Sequence, residues 1–198
     1  MRNWEDYLIT GTDTLQNKFN LADIDKLYEK EKDIVLERLI ALNMYGINGE
    51  FDVNHLKAIH WYLFSPIYPF AGEFREVNLF KEHTRFLGYE CIPSEIKRVM
   101  FEAKEKEIDD SNLFNVAKFL GDFYYNLITI HPFREENGRT IREYLREFTS
   151  YKFPNLSLNY DKVDKNNFLV GITEHDTYPL LIAYEIYNAL EKVNDKKI

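Results

Sequence analysis

A short segment, residues 130–142, contains the residue types that chemistry on phosphate groups requires. It reads I-H-P-F-R-E-E-N-G-R-T-I-R, and no other segment of the chain is so rich in such groups. His131 carries an imidazole, which suits a general base because its pKa lies near neutrality. Glu135 supplies a carboxylate that can hold a magnesium ion. Arg139 and Arg142 supply fixed positive charge for binding phosphate oxygens.

Two predicted helices flank this segment and must position it. Apolar residues at helical spacing precede it, namely Leu113, Val116, Ala117, Leu120, Phe123, Tyr124, Leu127 and Ile130. This pattern predicts a central, buried helix from Asn112 to Ile130. Pro132 disfavours helical geometry at the preceding residue, so the helix is expected to end at about His131. A second apolar stripe predicts a helix from Thr140 to Phe153.

The start of the second helix suits an anion. It is predicted to begin just after Asn137 and Gly138, where unpaired backbone N–H groups bind anions and a glycine lets the backbone approach a phosphate closely. Asn137 adds an uncharged donor. Arg139, Arg142 and Arg146 follow at spacings that place them on one helix face. The sequence therefore predicts a phosphate cradle beside a base at the end of the preceding helix.

The segment resembles the signature of Fic-domain proteins. That signature is His, any residue, Phe, any residue, Asp or Glu, Gly or Ala, Asn, Gly or Lys, Arg, and Arg three residues later. The matching positions are His131, Phe133, Glu135, Asn137, Gly138, Arg139 and Arg142. Glu136 departs from it, because the family has a small residue there. The resemblance implies an all-α Fic helical bundle with a short β-hairpin flap over the active site, as a single domain over residues 1–198.

The resemblance also implies an activity, the transfer of AMP from ATP to a hydroxyl group of a target protein. The implied roles are general base for His131, magnesium ligand for Glu135, anion hole for Asn137 and Gly138, binding of the β- and γ-phosphates for Arg139 and Arg142, and core anchor for Phe133. Gly138 stands where a kinase-like branch of the family carries Lys, which favours nucleotidyl transfer.

Glu136 leaves alternatives open, because its carboxylate adds negative charge beside the anions that must bind. Two like charges about 4 Å apart cost roughly 1 kcal/mol in water and several times more at a protein surface. The chain is therefore either an active adenylyltransferase or a catalytically impaired Fic-fold module that binds nucleotide or a partner. Transfer of another phosphate-linked group, such as UMP or phosphocholine, is a third possibility.

Residues 73–87 predict a short hairpin. Residues with alternating orientation open it, with Arg75, Val77 and Leu79 on one side and Glu76, Asn78 and Phe80 on the other. This hairpin resembles the Fic flap, which pairs with an extended target segment by strand addition. Thr84, Arg85 and Phe86 are the expected target-docking residues.

Residues 1–20 resemble the N-terminal arm of Fic toxins that a separate antitoxin controls. Many Fic proteins carry an inhibitory helix with Ser or Thr four residues before a Glu, and no Ser or Thr of this chain has that spacing. The resemblance therefore implies a toxin inhibited by a small antitoxin protein that supplies the helix. Related toxins modify subunits of type II DNA topoisomerases, which makes these the expected targets.

The composition limits the number of domains, the kinds of partner and the cellular location that we expect. The chain has 198 residues, 45% of them hydrophobic, which predicts one globular domain. Its net charge of −8 argues against direct nucleic acid binding. Cys91 is the single cysteine, so no internal disulfide forms. We see no signal peptide and no membrane span, and expect a cytoplasmic protein without membrane contact.

Other helices complete the prediction. A long amphipathic helix is expected from Leu21 to Tyr45, with the charged run Glu29–Asp33 on a solvated face. Asp52 is the expected N-cap of the next helix. His55 and His60 lie five apart without a Cys or carboxylate partner nearby, which favours core or surface positions over a metal pair.

The remainder follows the same rules. Pro93 and Ser94 open a helix that is predicted to run to about Ile108. A loop is expected from Lys152 to Tyr160, and closing helices from Asn166 to Glu174 and from Tyr178 to Val193.

Overall fold

The computed structural model describes residues 2–81 and 84–193, which form seven α-helices and two short antiparallel sheets. The helices are α1 (Ile24–Tyr45), α2 (Val53–Phe64), α3 (Ile92–Glu105), α4 (Leu113–Ile130), α5 (Asn137–Lys152), α6 (Lys165–Thr173) and α7 (Leu181–Ala189). The strands are β1 (Phe80–Lys81), β2 (Thr84–Arg85), β3 (Leu156–Leu158) and β4 (Leu190–Lys192). The predicted all-α class with a short hairpin is confirmed. Within the described ranges, no helix is both long and apolar enough to cross a bilayer.

Helix α4 is the centre of the fold. Asn112 caps it, because the asparagine side chain accepts hydrogen bonds from the backbone N–H groups of Phe114 and Asn115. Ten of its 18 residues are buried, as its apolar pattern predicts, and Phe114, Lys118 and Asn126 lie on an exposed stripe. Gly121 allows the close approach of α7, since a Cβ atom there would lie 3.1 Å from the backbone nitrogen of Ala183. This packing fixes the helix whose C-terminal end carries His131.

Helix α1 buries a charged residue that the sequence prediction placed in solvent. Its first turn is capped by the Asp23 side chain, and Leu27, Glu31 and Val35 are buried on one face. Because these residues are four apart, Glu31 shares the face of its apolar neighbours. The predicted solvated face of residues 29–33 is therefore wrong at Glu31, which is 3% exposed.

Helix α2 begins at the predicted cap, where the Asp52 carboxylate accepts from the His55 N–H. His55 and His60 are both buried in the core. The His55 Nδ1 atom accepts from the Phe51 N–H, so its Nε2–H donates to Glu147 across 3.0 Å. No cluster of three or more His, Cys, Asp or Glu residues suited to a metal occurs in the described part of the chain.

The predicted hairpin forms but is short. Phe80 pairs with Arg85 and Lys81 with Thr84. The leading residues 75–79 alternate between buried and exposed as predicted, although they lie outside the paired strands. Glu82 and His83, at the turn, lie outside the described residues.

The C-terminal prediction is wrong at its boundary. The helix expected to reach Val193 ends at Ala189, and Leu190–Lys192 turn into an extended strand. That strand pairs with Leu156–Leu158, which lie within the predicted loop. Leu156 and Leu158 are both buried, so the pairing closes the core beside α5. The two strands are more than thirty residues apart in sequence, and the local residue pattern does not predict that they pair.

Candidate active site

His131 lies where the predicted end of α4 places it. Its backbone has left-handed geometry, with φ 51° and ψ 62°, and its N–H closes the last turn by donating to the Leu127 carbonyl. Pro132 follows and cannot continue the helix. The imidazole is thus carried on the first residue beyond a largely buried helix.

The imidazole has a defined tautomer. Nδ1 lies 3.2 Å from the Ile128 carbonyl oxygen, which can only accept a hydrogen bond. In the neutral ring Nδ1 therefore carries the proton, and Nε2 carries the lone pair that a general base needs. Phe86 of the flap stacks on the ring, with centroids 3.9 Å apart and planes 19° apart. The expected docking residue Phe86 is thus in contact with the expected base.

Helix α5 begins at Asn137, three residues before the predicted Thr140. Glu136 is the N-cap residue, and its side chain makes no capping hydrogen bond. The backbone N–H groups of the first turn have no acceptor inside the helix, which is the arrangement that binds anions. A short loop joins His131, at the end of α4, to this first turn of α5.

Glu136 stands in a backbone conformation that favours glycine. Its φ is 63° and its ψ 24°, in the left-handed region. Such a conformation costs a residue with a Cβ roughly 1–2 kcal/mol. The left-handed backbone explains why the family signature has a small residue at this position. In this chain a glutamate adopts the same conformation despite its steric cost.

Phe133 and Asn137 hold the loop together. Phe133 is fully buried and stacks on His60, with centroids 3.9 Å apart. The Asn137 side chain accepts from the Phe133 N–H at 2.8 Å and donates to the Phe133 carbonyl at 2.9 Å. The structure gives the Asn137 amide a loop-closing role, and a phosphate contact by this side chain stays a prediction.

Glu135 presents the carboxylate expected to hold magnesium. Its side chain is 49% exposed and lies 3.5 Å from the guanidinium of Arg134, which packs under the Trp4 ring. A single carboxylate suits Mg²⁺, which keeps several waters and takes its other ligands from substrate phosphates. The donor set therefore fits a magnesium ion bound together with a nucleotide.

Arg139 forms ion pairs with two carboxylates. Its Nη1 lies 2.8 Å from Glu31 of α1, and its Nε lies 3.1 Å from Glu136. The Tyr68 hydroxyl donates to the second oxygen of Glu31. One guanidinium thus balances two largely buried carboxylates, and the expected β-phosphate ligand is already engaged.

This crowding shifts the titration of Glu136. Burial, followed by the nearby charge of Glu31, raises the pKa of Glu136 to about 8, and the ion pair with Arg139 opposes the rise only in part. Burial and the Glu31 charge also raise the pKa of Tyr68. Near neutral pH, the Glu136 carboxyl is therefore largely protonated beside the start of α5.

The raised pKa predicts a pH-dependent stability. Between about pH 4.5 and pH 8 the unfolded state releases the Glu136 proton while the folded state keeps it, so stability falls as pH rises through this window. Glu136→Gln, which cannot ionise, should gain on the order of 1–3 kcal/mol relative to the natural chain between pH 5 and pH 9. Urea unfolding at both pH values measures this. Glu37→Gln, at an exposed glutamate of α1, is the control, and an equal response of the two variants would contradict the assignment.

Arg142 differs from Arg139 in its surroundings. Its Nη1 lies 3.4 Å from where a Cβ of Gly138 would stand, so the absence of a side chain at Gly138 makes room beside this guanidinium. Burial raises the pKa of Tyr124, and the nearby Arg142 charge opposes that rise. Among the described residues no carboxylate forms an ion pair with Arg142. Arg142 is therefore the motif arginine whose charge is available to an anion at the start of α5.

Thr84 and Arg85 are the other flap residues that the sequence predicted to dock a target. Arg85 is exposed and its guanidinium lies 5.7 Å from the centre of the Phe80 ring. The Thr84 side chain lies outside the described part of the structure. Docking of a target by Thr84, Arg85 and Phe86 stays a prediction.

The sequence reasoning missed the contacts that three residues make with the motif. His60 accepts from the Gly72 N–H at 2.8 Å through Nδ1, so its Nε2–H donates to the Glu135 carbonyl at 3.3 Å. Burial lowers the pKa of His60 to about 4, which keeps the ring neutral. Arg75 binds carbonyls at the end of α4, and Glu31 binds Arg139. Only Glu31 had a usable signal, its four-residue spacing from Leu27 and Val35.

Two surface clefts lie away from the motif. One of about 360 Å³ is lined mainly by charged residues of 104–110 with Lys152 and Phe153. The other, about 310 Å³, lies between the start of α2 and α3. Neither contains a motif residue, and we assign no function to them.

The fold is a helical domain in which one histidine lies at the end of a helix, a short loop follows, and the next helix begins without a side-chain cap and carries two arginines near its start. Residues 50–149 match the Fic/DOC family. The chain belongs to this family.

Named relatives agree with this assignment. The chain is 30% identical over 161 residues to the probable protein adenylyltransferase y4lH of Sinorhizobium fredii, covering 80% of this chain and 81% of that protein. It is 28% identical over 160 residues to the protein adenylyltransferase VbhT of Bartonella schoenbuchensis, covering 80% of this chain. The match spans only 33% of VbhT.

Solved structures share the fold. The BepC protein of Bartonella tribocorum, crystallised with AMPPNP, has a TM-score of 0.81 at 21% identity and covers 96% of this chain and 98% of its own. An N-terminal Fic domain from Bartonella quintana with bound ADP has a TM-score of 0.82 at 19% identity, covering 95% of each chain. At these identities the likeness establishes the architecture.

Proposed function

We propose that this chain is a protein adenylyltransferase, which transfers AMP from ATP to a hydroxyl side chain of a target protein. The observation that carries the proposal is the His131 imidazole, with its lone pair on Nε2, on the residue that ends α4 just before the uncapped start of α5. The adenylyltransferase names of the relatives and the AMPPNP and ADP bound to the structural neighbours support ATP as the substrate.

In the proposed reaction, Nε2 of His131 takes the proton of the target hydroxyl. The hydroxyl oxygen forms a bond to the α-phosphorus of ATP as the bond from that phosphorus to the β-bridging oxygen breaks. The target keeps AMP and pyrophosphate leaves. Arg142 and the first-turn N–H groups of α5 bind the departing phosphates, and this fixed charge lowers the barrier without reorganisation during the reaction.

Magnesium would be held by Glu135 together with the phosphates, where it would neutralise charge on the leaving group. The chain's own part is to orient that carboxylate. His60 helps to orient it by donating a hydrogen bond to the Glu135 backbone carbonyl. The Arg134 guanidinium lies beside the carboxylate itself.

A second candidate, the impaired Fic-fold module that binds nucleotide or a partner, is favoured by the state of Arg139. Its guanidinium is held by Glu31 and Glu136, and an incoming phosphate must displace at least one of them. In this candidate nucleotide still binds, through Arg142 and the start of α5, while transfer is absent.

Mass spectrometry separates the two candidates. The purified chain is incubated with ATP, magnesium and a bacterial lysate, and proteins are searched for an added AMP. Labelled acceptors support the transferase. Nucleotide binding without any labelled protein supports the module. Repeating the incubation with UTP and CDP-choline identifies transfer of another phosphate-linked group.

Glu136→Gly is expected to improve nucleotide binding. At pH 9, where Glu136 is ionised, the change removes a negative charge near the phosphates and releases Arg139 from one partner, so the Kd for AMPPNP should fall by about 5- to 10-fold. Isothermal titration calorimetry with magnesium measures the Kd. Glu136→Gln is the matched control, since it removes the charge and keeps the strained side chain. If both variants bind as the natural chain does, Glu136 has no influence on the nucleotide.

The same proposal extends to biological partners. The resemblance of the motif and of residues 1–20 supports three further proposals. The chain is a toxin that a small antitoxin inhibits, its targets are type II topoisomerase subunits, and it acts in the cytoplasm. Co-expression with a small protein from the neighbouring reading frame, scored by growth, tests the toxin role.

A further inference from the structure

Arg75 is a fully buried arginine, 2% exposed, that binds four carbonyl groups. Its Nε donates to His131 at 2.7 Å and its Nη1 to Val77 at 2.7 Å. Its Nη2 donates to Leu87 at 2.6 Å and to Ile130 at 3.1 Å. No carboxylate pairs with it among the described residues. Burial lowers the pKa of Arg75 to about 10, so it remains charged at neutral pH.

The acceptors belong to two different parts of the molecule. Ile130 and His131 are at the C-terminal end of α4, where unpaired carbonyls and the helix dipole attract a cation. Val77 and Leu87 lie on the two legs of the flap hairpin, before β1 and after β2. One guanidinium therefore joins both legs of the flap to the residue that carries the base.

Neighbouring contacts reinforce this connection. The Arg75 backbone N–H donates to the Pro132 carbonyl at 2.9 Å. Phe86, adjacent to the acceptor Leu87, stacks on the His131 ring. His131 is thus held through its backbone by the Arg75 side chain and through its ring by the flap residue next to an Arg75 acceptor.

We propose that Arg75 is a positioning residue that sets the distance and angle between the flap and the His131 imidazole, and so aligns a target hydroxyl with the base. Its relevance to transfer rests on the proposed function. The planar guanidinium presents five donors in a fixed fork, and an ammonium group cannot reach four carbonyls in these directions. Retention of charge alone, as in Arg75→Lys, is therefore insufficient.

The first test is independent of activity. Hydrogen–deuterium exchange is compared in the natural chain and in Arg75→Lys, with Arg98→Lys on the exposed face of α3 as a matched control. Arg75→Lys should speed exchange at least about tenfold in residues 76–87 and 128–131 and leave α2 and α5 unchanged. Uniformly faster exchange, or none, overturns the proposal.

The second test measures alignment. Using acceptors that the natural chain labels in a lysate, Arg75→Lys should lower single-turnover AMP transfer at saturating ATP at least about tenfold, because misplacement of about 1 Å costs up to two orders of magnitude. The Kd for AMPPNP should stay within about twofold, since the described hydrogen bonds of the Arg75 side chain go to the flap and to the end of α4 rather than to α5. Equal transfer rates, or a loss explained by weaker nucleotide binding, contradict positioning.

Two further arrangements keep the tests decisive. If Arg75→Lys does not fold at 25 °C, Arg75→Gln, whose amide can still donate to two carbonyls, takes its place in both comparisons. If the natural chain labels nothing, the proposed function fails, and the exchange experiment alone decides whether Arg75 joins the flap to α4.

Discussion

Replacing His131 with alanine should lower AMP transfer by about 10²- to 10⁴-fold, the usual contribution of a positioned general base. The structure explains why this loss should fall on the chemical step. Nε2 is the basic atom, and the ring is held in place by the Ile128 carbonyl and by Phe86, so the loss of the imidazole removes the proton acceptor of the reaction. The Kd for AMPPNP should therefore change by no more than about twofold.

Transfer rates by mass spectrometry and nucleotide affinities by calorimetry test this expectation. His175→Ala is the matched control, because His175 stacks on Tyr125 in the turn after α6 and should be dispensable for transfer. A His131→Ala protein that keeps more than a tenth of the natural rate would remove His131 from the role of base. An equal loss in the control would point to folding instead.

Replacing Arg142 with alanine should weaken nucleotide binding by about 10- to 100-fold, because a hydrogen bond to a charged group contributes roughly 1.5–3 kcal/mol. Arg142 lies beside Gly138 near the start of α5 and has no carboxylate partner among the described residues, so its charge is available to phosphates. Its removal should lower the unfolding free energy by only about 1–2 kcal/mol, the size of a lost hydrogen bond to the buried Tyr124 hydroxyl.

Arg139→Ala is the contrasting variant. Here the structure predicts mainly a loss of stability, on the order of 3 kcal/mol, because Glu31 and Glu136 would be left buried without a cation. Calorimetric Kd values and urea unfolding at pH 7 distinguish the two arginines. The interpretation fails if Arg139→Ala weakens binding more than Arg142→Ala while remaining as stable as the natural chain.

The pairing of Arg139 also bears on how this chain tolerates a glutamate in the motif. Arg139 pairs with both carboxylates, and burial raises the pKa of Glu136 to about 8, so the two groups add less negative charge to the site at neutral pH than their number suggests. Glu31 lies on a helix more than one hundred residues away in sequence. It nevertheless sets the charge balance of the motif, because its carboxylate pairs with Arg139.

The sequence by itself determined the helices that frame the site and the order of chemical groups between them. Asn112 and Asp52 cap helices through their own side chains, and Pro132 ends α4 at His131, because these signals act within one turn of the chain. The spacing of His131, Glu135 and Arg142 was likewise readable, since all of it lies in one short segment.

Only the tertiary structure decided what surrounds those groups. It placed Glu31 against Arg139, aimed the Arg75 guanidinium at the end of α4, set His60 under the motif loop and paired β3 with β4. Each of these contacts joins residues far apart in sequence. Their formation depends on how helices pack and on which buried polar groups must find partners, and neither is specified by local residue pattern.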